Sequence, residues 1–275
     1  MKVTFIGGGN MATAIAGGLI ARGTRPPDIH IVEPSYAQRA RLAERVPGAC
    51  IHGTTEESAV AGADIVVLAV KPQQMREATA TLASYASALP VVLSIAAGIR
   101  SADLSRWLGG YTRIVRAMPN TPALVGAGIS AVYARPEAKH VAAVAVEVLE
   151  ACGEVVECAR EEDLDAVTAV SGSGPAYVFY FLEALEAAAI DLGLPADVGR
   201  RLALATFEGS VKLALQSGEP PATLRANVTS KGGTTAAAIA VLDRAEVRRI
   251  FVDAVKAGAK RARELGDEFG NDEQA

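Results

Sequence analysis

Short β-branched runs alternate with helical stretches from the N-terminus onward, and near Glu161 the alternation stops. "KVTFI" (2–6), "DIHIV" (28–32), "ADIVVLAV" (63–70), "PVVLSIA" (90–96), "RIVRAM" (113–118), "GISAVYA" (128–134) and "EVVEC" (154–158) read as strands. Between them, "NMATAIAGGLIARG" (10–23), "YAQRARLAERV" (36–46), the stretch after Pro72 and residues near 137–151 read as helices. Continuous apolar strands separated by helices of that length predict a parallel sheet covered on both faces. Residues 161–267 carry only helical patterns, punctuated by "GSGP" (172–175), "GLP" (193–195), "SGEPP" (217–221) and "SKGG" (230–233). A switch from α/β to all-α predicts two domains, 1–159 and 160–275, each long enough to bury a core.

The first strand runs into "FIGGGNMA", which places Gly7-x-Gly9-x-x-Ala12 where a strand ends and a helix opens. In that context the spacing predicts a dinucleotide-binding turn. Gly7 permits the tight turn, Gly9 lets a pyrophosphate approach the backbone, and Ala12 lets the helix lie close to the strand. The alternative is a turn that serves packing alone. The second strand ends at Glu33, 33 − 7 = 26 residues past the first glycine. A carboxylate there can accept both ribose hydroxyls of an adenosine and repel a 2′-phosphate, which favours NAD(H). Arg39 and Arg41 follow and could soften that repulsion; alternatively, Glu33 before Pro34 is a solvated loop charge.

Composition removes several classes of function. With 27 Lys+Arg against 31 Asp+Glu, a net charge of −4 and no basic block, nucleic acid is not an expected partner. The opening "MKVTFIGGGN" puts three glycines where a signal peptide needs apolar residues, and no large-apolar run is long enough to cross a bilayer. The expectation is a soluble cytoplasmic protein without membrane contact. Cys50, Cys152 and Cys158 are odd in number and lack C-x-x-C spacing, so buried reduced thiols are expected, with no metal. His30, His52 and His140 fall on separate elements and read as surface or packing residues.

The second glycine-rich stretch, "NVTSKGGTTAAAI" (227–239), sets Thr229, Ser230, Thr234 and Thr235 around a glycine pair ahead of a helix. Free backbone N–H groups at such a helix start bind anions. It is not a P-loop, because Lys231 precedes the glycines rather than following them. A helix cap by one threonine would explain one hydroxyl, but neither the glycine pair nor the cluster.

Taken in order, "FIGGGNMA", "LAVKPQQM" (68–75), "SIAAG" (94–98), "RAMPNTPALVGAG" (116–128), "SGSGPAYVFYFLEAL" (171–185) and "NVTSKGGTTAAAI" closely resemble Δ1-pyrroline-5-carboxylate reductases over nearly the whole chain. The resemblance implies an α/β Rossmann-type N-terminal domain and an all-α C-terminal dimerisation domain. It also implies a homodimer whose active sites join the cofactor domain of one subunit to the helical domain of its partner. Many members assemble further, to decamers. The implied reaction is hydride transfer from NADPH or NADH to the C=N carbon of a cyclic imine carboxylate, giving proline. By resemblance, the dinucleotide is held by Gly7, Gly8, Gly9, Asn10, Met11, Glu33, Ala69, Val70, Lys71, Pro72, Ala96, Ala97, Asn120 and Asn227. The substrate carboxylate falls to Ser230, Gly233, Thr234 and Thr235, with Glu161 nearby. Thr235 is the implied catalytic residue, an orienter of the ring nitrogen. Lys71 contributes backbone rather than an acid, and Ser173 reads chiefly as a small packing residue. Glu33, with Glu56 where some relatives have Asn, departs from the polar neutral residues common around the ribose in NADPH-using relatives.

Two other readings compete. A β-hydroxyacid dehydrogenase would need a lysine in a G-x-x-G-x-x-x-K helix, and residues 170–191 contain none. A non-enzymatic dinucleotide sensor would keep the first glycine turn but have no use for "TSKGGTT".

Overall fold

A computed structural model describes residues 1–270 of the protein. The chain divides into two compact units, one formed by Met1–Ser173 with the segment from Ala257 onward, the other by Gly174–Lys256.

The first unit is built on an eight-stranded sheet. Its elements run β1 (Val3–Ile6), α1 (Asn10–Ala21), β2 (Ile29–Val32), α2 (Tyr36–Arg45), β3 (Cys50–His52), α3 (Glu57–Val60), β4 (Ile65–Leu68), α4 (Met75–Ala83), β5 (Val92–Ser94) and α5 (Ser101–Trp107). They continue with β6 (Ile114–Met118), β7 (Gly128–Ala134), α6 (Ala142–Glu150), β8 (Gly153–Glu157) and α7 (Asp163–Val167). The spatial order is β3-β2-β1-β4-β5-β6-β7-β8. Alternation along each strand feeds two cores: Val3, Phe5, Ile29, Ile31, Ile65, Val67, Leu93 and Val115 pack on one face. Ile6, Val32, Val66, Leu68, Val92 and Ile114 pack on the other. Both faces are therefore buried, which is why these strands read as continuous apolar runs.

The expected parallel pairing holds except between β6 and β7, which are antiparallel. Only residues 119–127 join those strands, too few for the helical crossover a parallel pair requires. Strands β7 and β8 are parallel again because α6 supplies such a crossover. Two short elements, β3 and α3, have too few residues to show a period in the sequence, whereas Trp107 beside Leu104 and Leu108 reads as helix and lies at the end of α5.

The last strand, β8, ends at Glu157 and only helices follow among the described residues, while the compact units divide further along the chain, after Ser173. Residues 160–173 pack with the sheet because their polar groups are satisfied there: Glu161 by Ser101 and Arg116, and the Ser171 carbonyl by Asn120. Between Val167 and Gly174 the helix widens into a π turn, Thr168–Gly172. A Cβ on Gly172 would lie 2.5 Å from Met118 Cε, so the tip of that side chain would have to move.

The second unit contains α8 (Gly174–Asp191), α9 (Ala196–Ser217), α10 (Pro221–Asn227), α11 (Thr234–Arg244) and the start of α12 (Val247–Gly270). Phe251 packs edge-on against Tyr177 and tilted against Phe181. Few of its side chains are covered: α8, α10 and α11 bury none, and α9 buries only Gly199 and Ala203. Among the described residues no helix is long and apolar enough to cross a membrane.

Candidate functional site

Strand order places the switch point of the sheet between β1 and β4, where ligands of open α/β sheets bind outside the strand carboxyl ends. The backbone there is tied together. The Gly7 amide donates to Val32 O at 2.8 Å, the Ala69 amide to Ile6 O at 2.8 Å, and the Ile95 amide to Leu68 O at 3.1 Å. Gly7 has φ +102°, and a Cβ would lie 2.9 Å from the Ala69 carbonyl, so no other residue fits. Gly9 faces open space, with nothing within 4 Å of where a Cβ would stand. It is also the N-cap of α1 without a side-chain cap, leaving the amides of the first turn, from Asn10 and Met11 onward, to a ligand. This is an anion cradle that a pyrophosphate would fill, and the residues present fit that group.

Glu33 stands beside the cradle and is tied to it. Its carboxylate accepts from the Gly8 amide at 3.1 Å and from the Ser35 amide at 2.9 Å. Gln38 Nε2 donates to Gly8 O at 2.7 Å, and Arg39 Nη1 donates to the carbonyls of Glu33 and Pro34 at 2.9 and 2.7 Å. Two bonds leave an ionised carboxylate with acceptor sites to spare, so Glu33 can still take a ribose hydroxyl. The Arg39 guanidinium lies over the Tyr36 ring and close to Gly53. His30 and His52, on separate elements, are stacked with His30 Nδ1 and His52 Nε2 3.0 Å from each other, and His52 Nδ1 lies 3.2 Å from Glu56. The pairing of β2 with β3 brings them together. Burial, with the nearby Lys2 and His52, holds His30 below the ordinary histidine value.

After β4, Ala69, Val70 and Pro72 are half-buried and Lys71 is exposed, with no hydrogen bond from its ammonium group among the described residues. After β5, Ala96 is buried and Ala97 half-buried. Asn120 is buried, and both ends of its amide are engaged: Oδ1 accepts from Ile129 N at 2.9 Å and Nδ2 donates to Ser171 O at 3.2 Å. Both bonds brace the β6–β7 loop.

Glu161, which the resemblance puts near substrate, has three partners of its own. Oε1 accepts from Ser101 N at 2.6 Å and from Arg116 Nη1 at 2.7 Å, and Oε2 accepts from Ser101 Oγ at 2.6 Å. Burial pushes this carboxyl up, but the Ser101 hydrogen bonds and the Arg116 charge outweigh it and leave it below the ordinary glutamate value. Asp165, one turn on, is pushed up by burial despite the charges of Arg116 and Arg100.

In the second unit, α11 begins at Thr234 with Gly233 as N-cap and no side-chain cap bond. Gly232 has φ +75°, the left-handed conformation that turns the chain into the helix. Gly233 is small for a different reason: a Cβ there would stand 2.7 Å from Ser230 Oγ. The glycine pair therefore brings the Ser230 hydroxyl against an uncapped helix start. Of the four hydroxyls, Thr229 is spent on Arg225 O at 2.6 Å. Those of Ser230, Thr234 and Thr235 have no hydrogen-bond partner among the described residues. Asn227, the last residue of α10, is exposed and lies in this unit, not in the one carrying the glycine cradle.

Four residues of the site region were not singled out in the sequence. Arg116 breaks the apolar run of "RIVRAM", a charge inside a buried strand that calls for a partner, and Ser101 opens a helix in the ordinary way. Ser35 and Gln38 carry no comparable signal. Of the three free cysteines, only Cys152 is fully buried; Cys50 and Cys158 are half-buried. No cluster of His, Cys, Asp and Glu among the described residues is placed to hold a metal ion.

Comparison with known proteins agrees with both halves. The family described as pyrroline-5-carboxylate reductase dimerisation matches residues 161–265, and the family described as NADP oxidoreductase coenzyme F420-dependent matches residues 2–98. Pyrroline-5-carboxylate reductase of Pseudomonas aeruginosa is 40% identical over 270 residues, covering 98% of this chain and 98% of the relative. That of Arabidopsis thaliana is 39% identical, with 96% and 95% covered. Among solved structures, the Coxiella burnetii pyrroline-5-carboxylate reductase superposes with a TM-score of 0.88 at 38% identity, covering 96% of this chain and 98% of that one. The Plasmodium falciparum pyrroline carboxylate reductase, solved with NADP bound, gives 0.85 at 29% identity, with 97% and 98% covered. With sequence identity this high across nearly the full length, the chain belongs to the pyrroline-5-carboxylate reductase family.

Proposed function

We infer that the protein reduces L-1-pyrroline-5-carboxylate to L-proline, the last step of proline biosynthesis, with NADPH or NADH as the reductant. The names of its relatives support the reaction. The observation that carries it to particular residues is the start of α11, uncapped, glycine-paired and flanked by hydroxyls without partners. A ring carboxylate suits that place, because helix-start amides carry partial positive charge and need no basic side chain. Ser230, Gly233 and Thr234 hold the carboxylate, and Thr235 sets the orientation of the ring nitrogen. Glu161, by contrast, has its carboxylate on Ser101 and Arg116.

The cradle of Gly7, Gly8, Gly9, Asn10 and Met11 takes the pyrophosphate, and the turns holding Ala69, Val70, Lys71, Pro72, Ala96 and Ala97 line the nicotinamide side. When bound, the dinucleotide supplies the hydride, which adds to the C=N carbon while the C=N π electrons pass to nitrogen. If that nitrogen arrives protonated, the product amine needs no further acid. The protein's task is then to orient two rings, and a threonine hydroxyl, a poor acid, is adequate for that. Glu33 beside the ribose makes NADH at least competitive with NADPH.

The same reading makes the protein a cytoplasmic homodimer in which the α11 start of each subunit serves the partner's dinucleotide, with further assembly to a decamer. The match to a dimerisation family supports the dimer, and the resemblance alone supports the decamer. Steady-state reduction of pyrroline-5-carboxylate, run in parallel with NADH and NADPH, tests the activity directly. Proline and carboxylate-bearing ring analogues should inhibit competitively against the imine, and the matching amide should bind much more weakly. Equal inhibition by acid and amide would remove the carboxylate from the α11 start.

A further inference from the structure

The contacts of Glu161 point to a role that substrate contact does not describe. This carboxylate spans three places in the first unit: it follows β8, it receives Arg116 from β6, and it receives both the amide and the hydroxyl of Ser101 at the start of α5. Arg116 is nearly closed off from solvent, with 7% of its side chain exposed, and Glu161 has 20% exposed. A carboxylate with three donors at 2.6–2.7 Å is held, and it holds what donates to it. What it holds is the far end of the loop that leaves β5, residues 95–100, whose near end is pinned by the Ile95 amide on Leu68 O. Arg135 Nη1 adds a longer bond, 3.4 Å, to the Ser101 carbonyl.

The middle of that loop is backed as well. A Cβ on Gly98 would lie 3.3 Å from the Phe269 ring and 3.4 Å from Leu265 Cβ, and Arg100 Nη2 donates to Asp267 Oδ1 at 2.6 Å. The loop is therefore fixed at both ends and backed in its middle, with Ala96 buried and Ala97 half-buried between the anchors.

We propose that Glu161 is a positioning residue for the dinucleotide: through Ser101 it sets the backbone of residues 96–101 against the nicotinamide, and it does not touch the imine. This rests on the assignment of Ala96 and Ala97 to the nicotinamide side made above. The loop's one charged side chain, Arg100, is taken by Asp267, so its means of binding is the placement of its backbone. Such placement is lost when an anchor slackens, well before the fold fails.

The test is a pair of variants, Glu161→Gln and Ser101→Ala, and their combination, on the full-length enzyme. Dinucleotide affinity is read by titrating NADH and NADPH and following nicotinamide fluorescence, imine affinity by KM at saturating dinucleotide, and folding by thermal melting. Each single variant should raise the dinucleotide Kd roughly three- to tenfold, the factor carried by one weakened charge-assisted hydrogen bond. KM for the imine should stay within about twofold. The double variant should fall well short of the product of the two effects, because both break the same link. Ser101→Ala keeps the Arg116–Glu161 pair intact, so it carries the test should Glu161→Gln fold poorly. A raised imine KM with an unchanged dinucleotide Kd would return Glu161 to the substrate and overturn the proposal. A lowered melting temperature with neither constant moved would also overturn it, leaving a purely structural ion pair. If the wild type itself neither binds dinucleotide nor reduces the imine, the functional reading fails instead, a result distinct from either.

Discussion

Ser230, Thr235 and Glu33 are each placed so that one atom decides the outcome of a substitution. Ser230→Ala removes a hydroxyl that Gly233 leaves room for, without disturbing Gly232 or the helix. It should mainly raise KM for the imine, by about 1.5–3 kcal/mol for a lost charge-assisted hydrogen bond. Thr235→Val keeps volume and loses only the hydroxyl, so it should mainly lower kcat if that group sets the ring nitrogen during hydride transfer. Initial-rate kinetics on the two variants check both, and unchanged turnover in each would reduce this segment to an ordinary helix start. For Glu33 the informative substitution is Gln, because its amide oxygen keeps one of the bonds from Gly8 and Ser35, whereas Ser would drop both. Glu33→Gln should move kcat/KM toward NADPH by about tenfold, the equivalent of ~1–2 kcal/mol of repulsion of a 2′-phosphate at a partly exposed site. No movement, together with a strong wild-type preference for NADPH, would make Glu33 a brace for the glycine turn alone.

At the scale of elements, the Arg116–Glu161–Ser101 link joins β6, the segment after β8 and α5, and it should show in acid. The carboxyl sits below its ordinary value of 4.5 in the folded protein. Its contribution is therefore complete above that ordinary value and is lost as pH falls through the lowered one. Acid unfolding followed by circular dichroism should be less steep in Glu161→Gln than in wild type below that range; identical curves would mean the link carries no titrating stability. Removing Arg116 instead strands a buried charge, and Arg116→Met should destabilise the sheet unit by about 3–5 kcal/mol in urea. The elements that were legible in the sequence were those long enough to show a period or marked by glycine: β1 with its turn, α1, the apolar strands and the break before α11. What stayed hidden has physical reasons. Strand β3 is three residues long, so the meeting of His30 with His52 could not be read from either segment. The reversal at β7 depends on the length of a loop rather than on any residue pattern. The partners of Glu161 come from positions 45 and 60 residues away in sequence, a separation no local pattern records.

At the scale of the molecule, the second unit leaves too much apolar surface uncovered to stand by itself. Tyr180 is 69% exposed, Leu192 82% and Leu215 76%, and Val178, Phe179, Leu185 and Ile190 are exposed with them. A helix apolar around most of its circumference is a buried helix in its working state. The smallest active species should therefore be a dimer, and light scattering at assay concentration should find no fully active monomer. Dilution should lower the melting temperature, because a cover supplied by a second chain stabilises by mass action.

Helix α12 has a further consequence, for the order in which the protein can be made. Gly98 and Arg100 take their backing from Phe269 and Asp267, and Arg100 precedes Asp267 by 167 residues. Arg106 likewise reaches the Gly270 carbonyl at 3.0 Å. A ribosome adding about 5–20 residues per second therefore finishes the sheet strands on the order of ten seconds before it delivers the helix that backs this loop. The loop after β5 is the last part of the first unit to be completed, although it lies within the first half of the chain. A nascent chain released before α12 should carry a formed sheet with that loop unsupported, and arrest at successive lengths with pulse proteolysis would find protection of residues 98–106 only once residue 270 has emerged.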